Sequence, residues 1–240
     1  MKTLFLGKRL LVIISFLTWV ILLSAQTTTD QPIGKREWAA FHDLNASSYQ
    51  AKLREMKAKG MRPVDVEVFG GNTRSYSIVF RQNKDRRDYV LLTGLTATRY
   101  NEKWNEMKSK GYRVLDQESH VLKGTRYYGA LWIKNIENYR WSSNRNLTNE
   151  RYNERYNELK SKGYMLIDVD AYRINGALRY SMVWVENKDR KDWLSFRNMT
   201  VSRYGQRYRE MKGRGYRLMS TESYQNGRSQ LYAAIWVKES

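Results

Sequence analysis

The apolar and polar positions of this chain follow one pattern that occurs four times. Apolar residues spaced i, i+4 and i+7, such as Tyr100, Trp104 and Met107, predict an amphipathic helix with one buried stripe. Each such helix ends with basic residues and a glycine, which suit the helix dipole and a left-handed C-terminal conformation. The four glycines are Gly60, Gly111, Gly163 and Gly215. Their spacing of 51, 52 and 52 residues predicts tandem repeats, in which one unit cannot bury its own apolar face.

Segments of β pattern flank each helix. The segment before the helix opens on an aromatic residue and ends at asparagine or threonine, both good N-cap residues. The four opening residues are Trp38, Tyr89, Trp141 and Trp193. After the glycine, Tyr112, Val114 and Asp116 alternate with residues of the other face, which predicts a second strand. A turn signal such as Asn175-Gly176 predicts a hairpin to a third strand.

The predicted fold class is α+β, with four tandem βαββ repeats of about 52 residues. The repeats are residues 37–85, 86–136, 137–189 and 190–240, which together form a single domain. Short polar turns such as Asn83-Lys84-Asp85 predict that the third strand of one repeat pairs with the first strand of the next. The strands near Trp38 and Trp236 would then lack partners, and pairing them would remove two sheet edges. We therefore predict a closed, propeller-like ring with pseudo-fourfold symmetry, and an open solenoid is the alternative.

The N-terminal segment differs in composition from the repeats. Three positive charges precede an almost unbroken apolar run over residues 10–23, which is typical of a secretory signal peptide. We assign residues 1–25 to the signal, with cleavage after Ala25, and residues 26–36 to a disordered linker. An uncleaved membrane anchor is the alternative for this segment. The protein is therefore predicted to be secreted or periplasmic, with membrane contact only through the signal segment.

Composition narrows the functional classes. The 240-residue chain contains no cysteine, which excludes disulfides and thiolate metal sites. Its formal net charge of +19 favours anionic partners. Together with export, this charge indicates an anionic glycan, peptide or protein of the envelope, rather than a nucleic acid. Because His42 and His120 belong to no recurring ligand set, we expect neither a metal nor a cofactor. We also expect the protein to be a monomer.

One motif of the repeat resembles a known family. It reads Arg-Tyr-Asn-x-x-Trp/Tyr-Asn-Glu-Met-Lys-Ser-Lys-Gly-Tyr and is followed by a hairpin and Leu-Trp-Ile-Lys-Asn. Across residues 38–240 the chain resembles the bacterial tandem repeat family, whose repeat is similar to the N-terminal half of fungal polyglycine hydrolases. In those hydrolases a C-terminal domain similar to serine β-lactamases carries the proteolytic chemistry. The resemblance implies a secreted repeat module without catalysis, and the sequence has neither Ser-x-x-Lys nor Gly-x-Ser-x-Gly.

Acidic residues recur at one position of the second strand in all four repeats. These residues are Glu67, Glu118, Asp170 and Glu222, and Asp65, Asp116 and Asp168 lie two positions earlier. In a ring, the carboxylates would gather at the centre and bind a cation or a basic ligand. The alternative is structural pairing with the helix arginines Arg99, Arg151 and Arg203. A two-carboxylate glycosidase is a third interpretation, but an active site needs one copy of its residues and not four.

Tyrosines follow three of the four glycines that end the helices. These are Tyr112, Tyr164 and Tyr216. Tyrosine beside arginine and lysine forms stacking and hydrogen-bonding platforms for glycans or peptides. We take these tyrosines, the four recurring acids and the arginines Arg99, Arg151 and Arg203 as candidate binding residues, and we assign no catalytic residue. The leading hypothesis is a noncatalytic secreted module that binds an envelope or extracellular polymer or protein. The alternative is a hydrolase or a hydrolase accessory, either polyglycine-hydrolase-like or carboxylate-dependent.

The signal-peptide interpretation predicts a mature chain that begins at Gln26. Mass spectrometry of the intact exported protein measures this N-terminus directly. A protein that retains Met1 and fractionates with membranes would contradict the interpretation.

Overall fold

The computed structural model describes residues 37–70 and 72–238. The predicted signal peptide and linker lie outside the described residues. Each repeat contains a first strand, a 13-residue helix and two further strands. None of the four helices in these ranges is long and apolar enough to span a membrane.

The elements follow the same order in every repeat. Repeat 1 contains β1 (Trp38–Leu44), α1 (Ala46–Ala58), β2 (Met61–Phe69) and β3 (Ser75–Gln82). Repeat 2 contains β4 (Tyr89–Leu95), α2 (Ala97–Ser109), β5 (Tyr112–Leu122) and β6 (Thr125–Lys134). Repeat 3 contains β7 (Trp141–Leu147), α3 (Asn149–Ser161), β8 (Tyr164–Ile174) and β9 (Ala177–Glu186). Repeat 4 contains β10 (Trp193–Thr200), α4 (Val201–Gly213), β11 (Tyr216–Asn226) and β12 (Ser229–Lys238). The predicted α+β class and βαββ unit are confirmed.

The helices begin and end at the predicted residues. Each N-cap side chain accepts a hydrogen bond from the backbone N–H three residues later, as Thr96 does from Arg99 at 3.3 Å. The four N-caps are Asn45, Thr96, Thr148 and Thr200. The glycine that follows each helix has a positive φ, between 69° and 78°. On the apolar stripe of α2, Tyr100 and Met107 are buried.

Strand pairing differs from the prediction. β3 lies between β1 and β2 and is antiparallel to both, and the other three sheets have the equivalent order. Since β1 and β2 are therefore parallel, α1 is the crossover that such strands require. The predicted pairing of a third strand with the first strand of the next repeat is wrong, because β4 pairs with β6 of its own repeat.

The turns between repeats connect the third strand of one sheet to the first strand of the next sheet, and these two strands do not pair. In the first turn, Asn83 Nδ2 donates to the Arg87 carbonyl, and Asn83 Oδ1 accepts from the Arg87 N–H, both at 3.0 Å. The strands near Trp38 and Trp236 both have partners within their own sheets. The predicted closure of their edges is therefore wrong, and the choice between ring and solenoid stays a prediction.

A β-bulge interrupts the second strand of each repeat. In β5 the register shifts between Val114 and Asp116, which leaves Leu115 as the extra residue. Val114 lies opposite Trp132 in the core beneath the helix, whereas Asp116 faces the other side of the sheet. Equivalent shifts occur in β2, β8 and β11. The predicted strict alternation, which placed Val114 and Asp116 on one face, is wrong, and the bulge turns the acidic residues away from the helix.

Consecutive repeats meet at seams, in which the first strand of one repeat packs against the helix and third strand of the preceding repeat. The ring centroid of Trp141 lies 5.2 Å from that of Trp104 in α2. In the next seam, Trp193 lies 5.8 Å from Trp184 of β9. The second strands also contact one another in order, β2 with β5, β5 with β8 and β8 with β11. The second and third seams thus pack large aromatic rings that one repeat cannot cover alone.

The glycines at the helix ends provide a test of the repeat unit. Gly163 has φ +78° with no atom within 4 Å of an added Cβ, so Gly163→Ala isolates the backbone cost. We expect a loss of about 1 kcal/mol in the free energy of unfolding, because an L-residue is strained in this conformation. The matched control is Gly205→Ala inside α4, where an alanine should stabilise by about 0.5–1 kcal/mol. Urea denaturation measures both, and an unchanged midpoint for Gly163→Ala would refute the helix-ending role.

Candidate functional site

The bulged second strands bring the recurring acids together. We call this group of seven carboxyls the inner acidic cluster. Its members are Asp65, Glu67, Asp116, Glu118, Asp168, Asp170 and Glu222. The five members in repeats 2 to 4 are only 2–7% exposed, whereas the two members in repeat 1 are partly accessible. The prediction that the acids gather at one place agrees with this arrangement.

The aspartates of the cluster link neighbouring repeats. Asp116 Oδ2 accepts a hydrogen bond from the backbone N–H of Val66 at 3.0 Å. Asp168 Oδ2 accepts the same bond from Gln117, also at 3.0 Å. In both cases a side chain satisfies an N–H on the edge of the preceding second strand. Ser220 stands at the equivalent position of repeat 4, so the series ends there.

The longer carboxyls bond to one another and to hydroxyls. The side chain of Glu67 is within hydrogen-bonding reach of both Glu118 and Glu222. Asp170 accepts from the hydroxyls of two serines, while its Oδ2 is buried without a hydrogen-bond partner. A hydrogen bond between two carboxyls requires that one of them keeps its proton. No ion pair among the described residues includes a member of the cluster.

Burial is the main reason that these carboxyls hold protons. Burial, followed by repulsion from Asp65, raises the pKa of Glu67 to about 8. Burial raises the pKa of Asp168 to about 7, although the hydrogen bond from the Gln117 N–H lowers it. Burial and repulsion within the cluster raise the pKa of the other buried members well above their usual values. These members are Asp116, Glu118, Asp170 and Glu222.

In repeats 2 to 4 the cluster is buried, and its raised pKa values favour protonated carboxyls. A two-carboxylate glycosidase needs both carboxyls in contact with the substrate and one of them ionised. The members in repeats 2 to 4 are too buried for such contact. Among residues 37–70 and 72–238, no group of three or more histidine or acidic residues is arranged to hold a metal ion.

The helix arginines do not pair with the acids, so that alternative is wrong. Arg99 pairs with Glu102 at 2.5 Å and Arg151 with Glu154 at 2.7 Å, each three residues along its own helix. Both arginines are exposed on the outer side of the repeat. Exposed pairs of this kind contribute little to stability. The candidate arginines and the candidate acids therefore belong to separate regions of the molecule.

The candidate tyrosines are already covered by cations of the same chain. Lys134 Nζ lies 4.9 Å from the ring centroid of Tyr112, and the Arg140 guanidinium lies 5.7 Å from that of Tyr164. Tyr216 is buried and donates a hydrogen bond to Asp192 Oδ2 at 2.5 Å. The structure does not bring the three rings together, since each lies in its own repeat.

One basic surface was not predicted from the sequence as a group. α4 carries four arginines and lysines against one acid, Glu210. Arg203 bonds to the neutral Gln206 at 2.7 Å, where the equivalent arginines of α2 and α3 pair with glutamates. Arg209 and Lys212 are also exposed and form no ion pair with the described residues. The sequence signal for this basic surface is Gln206, which stands where α2 and α3 have a glutamate.

The buried histidine has a structural position. His120 Nε2 accepts a hydrogen bond from Arg74 Nε of the preceding repeat at 2.9 Å, and its ring stacks on Tyr127. Burial, together with the Arg74 charge, lowers the pKa of His120 to about 4, so the ring is neutral near pH 7. This contact belongs to the seam between repeats 1 and 2.

The fold and its three seams define a tandem-repeat protein built from four βαββ units. The family model described as polyglycine hydrolase-like, structural repeat, matches residues 35–83, 87–135, 139–187 and 190–239. The chain therefore belongs to this family of repeats, and the resemblance seen in the sequence is confirmed.

The inner acidic cluster predicts that stability falls as pH rises from about 4 to about 8. Unfolded carboxyls lose their protons near pH 4, whereas the folded cluster keeps them to higher pH, so the folded state binds more protons throughout this window. Each fully shifted group lowers the free energy of unfolding by at most about 1.4 kcal/mol per pH unit. Urea denaturation at several pH values measures the slope.

Glu222→Gln keeps the shape of the side chain and removes its titration. We expect a shallower slope and a higher stability at pH 8 than in the unmodified protein. The matched control is Glu102→Gln on the exposed face of α2, which should leave the slope unchanged. Equal slopes for all three proteins would show that the cluster is not protonated in the folded state.

Proposed function

We propose that the chain is an exported, noncatalytic module that binds an anionic glycan, peptide or protein in the cell envelope or outside the cell. The observation that carries the proposal is the basic surface of α4, formed by Arg203, Arg209 and Lys212. These three exposed cations have no acidic partner among the described residues. Exposed cations without acidic partners attract polyanions over distances comparable to the Debye length.

The buried acids support the same proposal. The formal charge of +19 counts every aspartate and glutamate as ionised. The members of the inner acidic cluster with raised pKa values hold protons near neutral pH, so the molecule is more positive than this figure. Their negative charge is also removed from the surface, where the lysines and arginines remain. An approaching ligand therefore meets a basic exterior.

The repeat adds further weak contacts. Arg99 and Arg151 occupy the positions of Arg203 on α2 and α3, although glutamates partly neutralise them. A polymer that reaches more than one helix gains from effective concentration even if each contact is weak. We therefore infer that a long anionic ligand binds more tightly than a short one of the same chemistry.

The experiment compares charge reversals on α4 and α1. Arg203→Glu combined with Arg209→Glu should weaken binding to heparin and to polyglutamate by about tenfold or more, since unlike charges become like charges. Arg54→Glu reverses the position equivalent to Arg209 on α1 and should cost much less. Raising the salt to about 1 M should weaken binding by the unmodified protein sharply. Binding to a neutral polymer that ignores both salt and the α4 reversals would contradict the proposal.

A further inference from the structure

Repeat 4 contains an open cavity at the place where repeats 2 and 3 pack the tryptophan that opens the next repeat. The cavity has a volume of about 270 Å³ and is lined by residues of α4, β11 and β12. The lining includes Tyr208, Lys212, Leu218 and Trp236, and we call this cavity the repeat 4 socket. Tyr208 occupies the position of Trp104 on the apolar helix stripe that the spacing predicts to be buried, but it is 43% exposed.

Repeat 3 shows what such a socket binds. Trp193, at the start of the next repeat, lies 6.0 Å from Tyr156 and 5.8 Å from Trp184, measured between ring centroids. Lys160 Nζ lies 5.4 Å from the centroid of Trp193, which is 8% exposed. Tyr156, Lys160 and Trp184 are the positions equivalent to Tyr208, Lys212 and Trp236 of the repeat 4 socket. A tryptophan at the start of a first strand therefore fits a socket with this lining.

The matching tryptophan of repeat 1 is uncovered. Trp38 is the position equivalent to Trp193, and it is 61% exposed. Phe69, near the other end of the same repeat, is 45% exposed, whereas its counterparts Tyr172 and Tyr224 are buried. Repeat 1 thus presents the first-strand half of a seam, and repeat 4 presents the socket half. The same two halves form the seams after repeats 2 and 3.

The two halves of one chain do not fill each other. The one interaction between the two repeats that bears on this point is that of the Glu67 and Glu222 side chains at the inner acidic cluster. Even with that contact in place, Trp38 remains exposed and the socket remains open. The occupant that matches the socket in sequence and shape is therefore the first strand of another copy.

We propose that this protein associates head to tail, with Trp38 of one copy in the repeat 4 socket of the next. The contact reproduces the packing of Trp193 in repeat 3, so the indole stacks on Tyr208 and Trp236 with Lys212 over its face. Because the two surfaces are different, the interface is heterologous, and it leads to open chains or to rings of copies. The monomer that we expected from the sequence would then be the species present at low protein concentration.

Sedimentation velocity of the full chain and two variants tests the proposal. When the unmodified protein is concentrated to about 100 μM, its average mass should rise about twofold or more. Trp38→Ala removes the inserted side chain and Tyr208→Ala removes one wall of the socket, and each variant alone should remain monomeric. Both side chains are exposed, so circular dichroism should report an unchanged fold. Trp38→Phe keeps an aromatic ring and should retain part of the association.

The decisive sample is an equimolar mixture of Trp38→Ala and Tyr208→Ala. The first variant supplies an intact socket and the second an intact tryptophan, so the mixture should form a one-to-one dimer and nothing larger. A mixture that stays monomeric would overturn the proposal. An unmodified protein that stays monomeric with Trp38 shielded from acrylamide quenching would also overturn it, because the chain would then fill its own socket.

Discussion

The structure depends on the packing of the tryptophan that opens repeats 3 and 4 against the helix and third strand of the preceding repeat. A three-stranded sheet with a single 13-residue helix has too little apolar surface of its own to be stable alone. Trp141 and Trp193 supply the missing cover for repeats 2 and 3. Because the same contact recurs, each repeat is stabilised mainly by its neighbours, and the uncovered surfaces of repeats 1 and 4 follow directly from the same design.

The second constraint is electrostatic. The other face of each sheet carries carboxyls that meet at the inner acidic cluster, where separate negative charges would be very unfavourable. Protonation, which lets Glu67 bond to Glu222, resolves most of this conflict. The backbone N–H groups that bond to Asp116 and Asp168 offset part of the cost of burying any charge that remains on them. The same arrangement removes negative charge from the exterior. One feature of the interior thus underlies both the pH dependence that we predict for stability and the excess of basic groups at the surface.

Local structure was largely predictable from the sequence, and the contacts between elements were not. The helices, their N-caps and the closing glycines follow from periodicity and capping chemistry, as Thr96 and Gly163 illustrate. Strand order was not predictable from a short polar turn, because Asn83 closes the turn with its own side chain. The bulge at Leu115 was also missed, since one extra residue leaves almost no mark on an alternating pattern. Gathering of the acids was predicted, but their protonation depends on burial that only the structure gives.

Hydrogen exchange tests the central claim, that neighbouring repeats provide the stability of each repeat. The measurement compares β1 with β7 and α4 with α3 at a concentration where the mass is that of one chain. The account predicts faster exchange in β1 and α4, because Trp38 and Tyr208 lack the cover that Trp141 and Tyr156 have. Uniform protection across all four repeats would contradict it, since each unit would then be stable without its seams.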